Sequence, residues 1–454
     1  MISFDQILEK KIGTGFYQFK TMSIVGLVEF CNGILFTFMS IMMSILKSEW
    51  SLTSSQIANI GSSYLLGIVL GNILCAFLVD KIGRKTTFAF STAICAFLCF
   101  QISFTNTYIE MILLRLLFGA IFGITYQLGF IILSEITEAK FRGRFSFSVS
   151  LLFVLGKICL IILCFVFLDS LESGNWRGLM LFNGIPLTIA FVLSFIFLKE
   201  TIRYQLNLGK FEQAFEEIEI ILEENGKEDR ILNEEEKKGL QLWQEKQQVE
   251  FQEQQLQKYG IFSSEYKTIT LLLWLIYVLA NFQSMTIYLL MPFLLAQKNS
   301  GFSPMLILFI IEFCFSIIIY HFIDNPHYGG RINIIAYSGV ALLLSNGLLF
   351  IFQEKILYLG LFVIKIATRG LFSTIGILAC ESYPLYLRSQ GCGIAQAIGK
   401  IGVIPSPYFL FPLLFFDPYL PFLLMALLSI LILIFAYVFD KDKTQKHLET
   451  LKEE

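Results

Sequence analysis

Hydropathy constrains this chain more tightly than any other property. Apolar windows of about 20 residues recur along it, the length a helix needs to cross a hydrocarbon core of ~30 Å. They place helices near 21–45, 57–79, 86–105, 108–134, 145–168 and 178–198. After a polar interval, further windows fall near 269–293, 303–323, 332–352, 356–380, 389–413 and 418–439. Lipid offers the backbone no hydrogen-bond partner, and only helices and closed barrels satisfy their own. Windows this long select helices. The expected fold is an all-α polytopic membrane protein whose twelve transmembrane helices form two related six-helix bundles. With 56% apolar and 15% charged residues, a soluble globular class is excluded.

Polar segments divide the rest. Residues 1–20 lack the apolar core and small-residue cleavage site of a signal peptide and read as a short cytosolic amphipathic segment. The bundles are assigned to 21–198 and 268–439, separated by a charged linker, 199–267, whose good helix formers predict short surface helices. Residues 440–454 form a tail. Basic residues in short loops mark the cytosolic side. With a cytosolic N-terminus, Lys81, Arg84, Lys85, Lys140, Arg142, Arg144, Arg331 and Arg388 fall inside, against Lys47, Arg177, Lys298 and Lys355 outside. Both termini are therefore expected in the cytosol, in the plasma membrane or an intracellular vesicle or vacuole.

Other classes find little support. A net charge of -2 gives no reason to expect nucleic acid as a partner. The nine cysteines lie inside apolar runs without CxxC or Cys/His spacing, so no metal or cofactor is expected. No nucleophile–base pair or phosphate loop points to an enzyme.

The two halves echo one another. EITEAKFR, from Glu135 to Arg142, is matched by ESYPLYLR, from Glu381 to Arg388, each with an Arg seven residues after a Glu. Gly156-Lys157-Ile158 returns as Gly399-Lys400-Ile401, and Arg115 and Arg369 each sit in the preceding helix. The turn DKIGRK, with Asp80, Gly83 and Arg84, has a weaker echo in DNPHYGGR, from Asp324 to Arg331. Internal symmetry of this kind is common among secondary transporters.

DKIGRK resembles the loop between the second and third helices of major facilitator superfamily transporters, D-x-x-G-R-[KR]. Ala76 stands where that family usually has Gly. Arg115 with Gly119 resembles its fourth-helix R-x-x-x-G. Glu135 to Arg142-Gly143 resembles the E-(x6)-R-G of sugar and organic-ion porters, and Glu200-Thr-Ile-Arg203-Tyr204 approximates their E-S-P-R-[YW] without its Pro. IFSSEYKTITLLLW, from Ile261 to Trp274, and the segment Gly26 to Gly33 look most like the synaptic-vesicle-protein and organic-ion branch. There an acid is usual where this chain has Asn32, with Glu29 one turn earlier. The resemblance implies a secondary active transporter of a small organic solute, an organic ion or sugar-like molecule, working as a monomer by alternating access, with protons as a candidate coupling ion. A transport-silent scaffold or sensor on the same fold is the alternative.

An ionisable group at the bilayer centre costs ~2.5–3.5 kcal/mol even on insertion scales, so each needs a partner or a wet cavity. Glu29, Lys157, Glu312, Lys365, Arg369 and Lys400 fall deep in their windows, with Arg115 shallower. Together with Asn32, Asn281 and Gln283, the candidate substrate or coupling residues are Glu29, Arg115, Lys157, Glu312, Arg369 and Lys400. In the resembled fold Lys157 and Glu312 face each other across the halves, as a static tie or as part of coupling. The surplus of Arg115, Arg369 and Lys400 favours an anionic substrate, whereas Glu29 and Glu312 could instead serve a cation. A second set, Asp80, Gly83, Arg84, Glu135, Arg142, Arg331, Glu381 and Arg388, lies at helix ends on one side. The resemblance implies a cytosolic gate there that forms and breaks during the cycle.

Overall fold

In a computed structural model of the chain the backbone is described for residues 4–227, 231–256, 261–263, 266–298, 301–322, 330–383 and 385–439. Side chains are further left undescribed at 76, 139, 246–256, 319–322, 330–331, 373, 377, 380–381 and 385–390. Among the described residues there is no named strand, only an isolated bridge between Leu168 and Gly174.

A short helix α1 (Phe4–Ile7) runs into a π turn, Leu8–Ile12. Six long helices follow: α2 (Phe16–Glu49), α3 (Ser54–Ile82), α4 (Arg84–Ser103), α5 (Tyr108–Ile136), α6 (Ala139–Phe167) and α7 (Trp176–Phe197). Three polar-faced helices, α8 (Ile202–Asn207), α9 (Phe211–Glu224) and α10 (Glu234–Leu256), precede the second half. That half holds α11 (Lys267–Gln297), α12 (Ser303–Phe322), α13 (Gly330–Phe352), α14 (Leu357–Ser382), α15 (Leu385–Ile401), α16 (Ser406–Phe416) and α17 (Leu420–Val438). Ten stretches among the described residues are long and apolar enough to cross a membrane; one of them, Ile332–Gly376, covers both α13 and most of α14, and a shorter apolar helix covers Ser303–Ile318. Among the described residues each window read from the sequence is helical over most of its length.

Two boundaries differ from expectation. The first span extends well past 21–45, because hydropathy measures membrane thickness whereas α2 continues into polar surroundings at both ends. The window 389–413 is two helices. Pro405 caps α16 and Pro407 stands in its first turn; without N–H groups they cannot continue the ladder of α15, and the chain turns at 402–405.

Glycines set the packing of the first half. A Cβ on Gly33 would strike the Phe153 carbonyl, and one on Gly156 the Phe30 carbonyl, so α2 and α6 meet backbone to backbone. Gly67 and Gly71 of α3 meet Leu116 and Ala120 of α5 in the same way, and Gly119 and Gly123 return the contact to Tyr64 and Ile68. In lipid, where apolar burial gives no net drive between helices, such close approach supplies the association energy. The second half has fewer such seams among its described residues: Gly376 and Gly347 have open space around them, and Gly339 meets only the flexible ends of Leu433 and Ile432.

The N-terminal segment and the helices between the halves form a cap on one face. Phe4, Ile7, Leu8 and Ile12 pack with Phe215, Ile218 and Leu222, continuous with Val25, Val79 and Leu133 of the first half. Lys11 pairs with Glu236 at 2.7 Å and Lys20 with Glu224 at 2.5 Å. Asn225 accepts from the Tyr17 backbone at 2.9 Å and donates to the Ile12 carbonyl at 3.3 Å. The charged linker, expected to form short surface helices, buries an apolar face here because α9 carries Ala214, Phe215, Ile218, Ile221 and Leu222 at helical spacing.

Candidate functional site

A cavity of about 390 Å³ lies between the halves. Its described lining reaches Phe130 and Gly376, about two turns from the cap-face ends of α5 and α14. The opposite face is sealed. Ser62 of α3 donates to the Ile404 carbonyl at 2.9 Å, and Tyr408 donates to Asn59 Oδ1 at 2.7 Å. Asn59 also donates to the Tyr108 hydroxyl at 2.8 Å, and Lys47 sits 3.9 Å over the Phe415 ring.

At mid-depth the halves are joined by charge. Lys157 of α6 donates to Glu312 Oε1 of α12 at 2.7 Å and to the Tyr288 hydroxyl. Tyr288 in turn donates to Glu312 at 3.1 Å. Lys365 of α14 is 2% exposed; its Nζ lies 3.7 Å from Glu312 Oε2 and 3.4 Å over the Tyr288 ring, and makes no hydrogen bond. Arg369, one turn further along α14, donates to Ser316 at 3.1 Å and across the halves to Ser150 at 2.8 Å. Ser316 is held by donation to the Glu312 carbonyl at 2.7 Å. Lys400 of α15 also lines the cavity. Four cations therefore face one carboxylate among the described lining residues.

Much of the remaining lining is aromatic and comes mostly from the first half. Phe122 and Tyr126 stack at 6.0 Å, Phe153 meets Tyr126 edge-on at 5.7 Å, and Phe36 meets Tyr288 edge-on at 5.3 Å. Chemically the cavity offers an apolar, ring-sized surface beside a cationic one, with Asn281, Ser284 and Gln396 as polar groups. Asn281 is tied by its Nδ2 to the Tyr277 carbonyl at 2.8 Å, leaving its oxygen as acceptor.

Of the candidate substrate or coupling residues, Lys157, Asn281, Glu312, Arg369 and Lys400 line the cavity, as does Lys365, which also falls deep in its window. Four do not. Glu29 is fully buried in the first half, accepting from Asn32 at 3.2 Å, with its Oε2 and Asn32 Oδ1 lacking hydrogen-bond partners. Arg115, 1% exposed, donates to Met42 Sδ at 2.5 Å beside Tyr64 and Cys99. Gln283 binds the Met425 carbonyl at 2.7 Å and Ser429 at 2.9 Å, tying α11 to α17. Position along a window gives depth but not the direction a side chain faces, which is why these four look alike in sequence. Tyr288, Ser150 and Ser316 join the site without a signal in the sequence. Tyr288 is one of 18 tyrosines, and nothing in its neighbourhood along the chain marks it.

The helix-end cluster closes within the first half. Arg84 pairs with Glu135 at 3.3 Å and Asp80 at 3.4 Å, donates to the Val79 carbonyl at 3.2 Å and stacks 4.8 Å over Tyr204. Gly83, at φ +105°, makes the turn between α3 and α4 in a region that favours glycine. Glu200 caps α4 from a distance, accepting from the backbone of Arg84 at 2.8 Å and Lys85 at 3.2 Å, and from Thr201 at 3.0 Å. Burial raises the Glu200 pKa above the ordinary carboxylate value, a shift those bonds only partly oppose. Arg142 lies 3.8 Å from Asp5, which also holds Arg203. Asp324 lies outside the described residues, as do the side chains of Arg331, Glu381 and Arg388.

Comparison with known proteins fits this architecture. The sequence model described as Major Facilitator Superfamily matches residues 25–325. The chain is similar to the synaptic vesicle 2-related protein of Rattus norvegicus, 24% identical over 422 residues, covering 87% of this chain and 73% of that one. It is also similar to the niacin transporter of Acinetobacter baylyi, 22% identical over 403 residues and covering 87% and 86%. Among solved structures, a D-xylose-proton symporter superposes with TM-score 0.72 at 15% identity, covering 95% of this chain and 100% of that one. The inward-open xylose transporter of E. coli gives 0.70 at 19% identity, covering 96% and 99%. At such identities the structures speak for the fold alone.

Proposed function

The chain belongs to the major facilitator superfamily, and on that premise we propose that it carries a small organic anion across the membrane by alternating access. The single observation behind the charge of the cargo is Lys365, a buried ammonium in the cavity wall that no hydrogen bond satisfies. Buried charges need partners, and Glu312, hydrogen-bonded to Lys157 and Tyr288, reaches Lys365 only as an ion pair at 3.7 Å. A carboxylate entering the cavity would meet Lys365 and Arg369, with its apolar body on Phe122, Tyr126 and Phe153. An aromatic or otherwise planar monocarboxylate suits both walls.

In this reading the cap face is cytosolic, as the basic loops indicate, and the cavity opens toward it. The Arg84–Glu135 cluster would set the shape of the first half at that face, with Arg142, Arg331, Glu381 and Arg388 completing the gate. The niacin transporter among its relatives carries a planar molecule of this general kind by its name. Uptake into proteoliposomes of labelled benzoate, nicotinate and succinate, beside tetraethylammonium and xylose, with and without a pH gradient, tests the proposal. Uptake of at least one anion supports it. Uptake of the cation or the sugar alone overturns it, and no uptake of any solute turns the chain into a scaffold.

A further inference from the structure

Lys157 and Lys400 are counterparts in the two halves, and among the described residues only Lys157 has an acid to pair with. Each follows a glycine that lets its helix pack close to a neighbour. A Cβ on Gly156 would strike Phe30 of α2, and one on Gly399 would strike Tyr277 and Asn281 of α11. Each lysine then reaches the second long helix of the other half. Lys157 finds Glu312 on α12 at 2.7 Å, whereas Lys400 lies beside the Cys75 thiol on α3. Lys400 makes no hydrogen bond or ion pair among the described residues, and it lines the cavity. A cation within the membrane is costly, so one without a protein acid marks a functional site by default.

Lys400 also stands apart from the carboxylate locus at Lys365 and Arg369. Gly399 fixes this end of α15 at the level of Tyr277 and Asn281, while Lys365 sits over the ring of Tyr288. Along α11 those levels differ by ~10–16 Å of helix rise. Gln396, one turn back on the same face of α15, lines the cavity with Lys400. We propose that Lys400 and Gln396 form a second anion subsite, so that the cargo class includes elongated aromatic dicarboxylates held at both ends. One carboxylate lies at Lys365 and Arg369, with the ring against Phe122, Tyr126 and Phe153. The other gives Lys400 the acid that Glu312 gives Lys157. A monocarboxylate fills only the first locus and binds more weakly.

The inference rests on the anion reading of the cavity and is tested apart from it. Equilibrium dialysis of the purified full chain measures binding of labelled benzoate, phthalate and terephthalate. The two diacids have the same atoms and the same charge and differ only in how far apart their carboxylates stand. Terephthalate is expected to bind at least about tenfold more tightly than phthalate, the gain from one further hydrogen bond to a charged group. In Cys75→Glu, which places an acid on α3 beside Lys400, that ratio should fall toward one. Lys400→Met should lower it in the same way, so the test survives if one variant does not fold, and Lys400→Arg should keep a preference. Equal binding of the two isomers by the wild type overturns the second subsite and leaves the anion reading standing. A ratio unchanged in both variants does the same. Failure of all three anions to bind overturns both.

Discussion

Glu312 reaches from the second half to Lys157 in the first at 2.7 Å, with both side chains almost wholly removed from solvent. This is a mid-membrane tie across the plane along which the halves must rock. Removing one partner of a buried pair leaves a charge uncompensated, at a cost of about 3–5 kcal/mol, whereas apolar replacement of both is often neutral. Glu312→Gln should therefore lower the melting temperature of the purified protein strongly, and Lys157→Met with Glu312→Leu should recover most of the loss. If the double variant is no better than the single, the pair is not the source of the effect.

Lys365 should dominate affinity. Hydrogen bonds to charged groups contribute ~1.5–3 kcal/mol, so Lys365→Met should weaken binding of a transported anion by roughly 10- to 150-fold. Equilibrium dialysis with the labelled anion measures this. Gln283→Leu, on a side chain that ties α11 to α17 away from the cavity, should leave affinity within about threefold while costing stability of the order of 1–3 kcal/mol.

Glu200 predicts a pH signature at the cap face. Its pKa is raised chiefly by burial, so the folded state holds this proton more tightly than the unfolded chain does. Its contribution is then fully present below the ordinary value of 4.5, falls as pH rises through the raised folded value, and levels off above it. Melting temperature plotted against pH for the wild type, minus the same curve for Glu200→Gln, should decline with rising pH over that window. A difference that grows with pH contradicts the assignment.

The seal opposite the cap should set the balance of open states. Ser62→Ala removes a hydrogen bond to the Ile404 carbonyl, and Tyr408→Phe one to Asn59. At ~0.5–1.5 kcal/mol each, the pair should shift the ratio of the two access states several-fold away from the cap-open form. Labelling of a single cysteine placed in the cavity wall by an impermeant reagent from either side reads the shift.

The glycine seams make a sharper demand. Gly71→Val places two methyl groups where the Ala120 carbonyl of α5 already lies, so α3 and α5 must separate. Loss of folded protein is expected, whereas Gly376→Val, at a position with open space, should express normally. Size-exclusion profiles of the two variants in detergent decide it.

Much of the fold is legible in the sequence because lipid thickness leaves few choices for an apolar window of about 20 residues. The depths of Lys157, Glu312 and Arg369 could be read in the same way, and so could their need for partners. The direction each faces could not. Glu29 and Lys157 both fall deep in their windows, yet Glu29 lies beside Gly129 of α5 and Lys157 lines the cavity. Helices that are apolar on every side carry no stripe to fix that rotation; only the glycine contacts do, and they are pairwise facts between distant segments. Tyr288 illustrates the same limit, since its role comes from Lys157, Lys365 and Glu312 converging on it from three helices.

The break between α15 and α16 has a consequence for how this protein can vary. The acceptor it presents to Ser62 is the main-chain oxygen of Ile404, freed because the helix stops there. Any amino acid at 404 that keeps the turn keeps that acceptor. Sequence drift on the second half thus leaves the bond untouched unless the turn itself straightens, while on the first half one hydroxyl decides it. Tuning of this contact, by nature or by design, runs through position 62 and through the prolines that shape the turn.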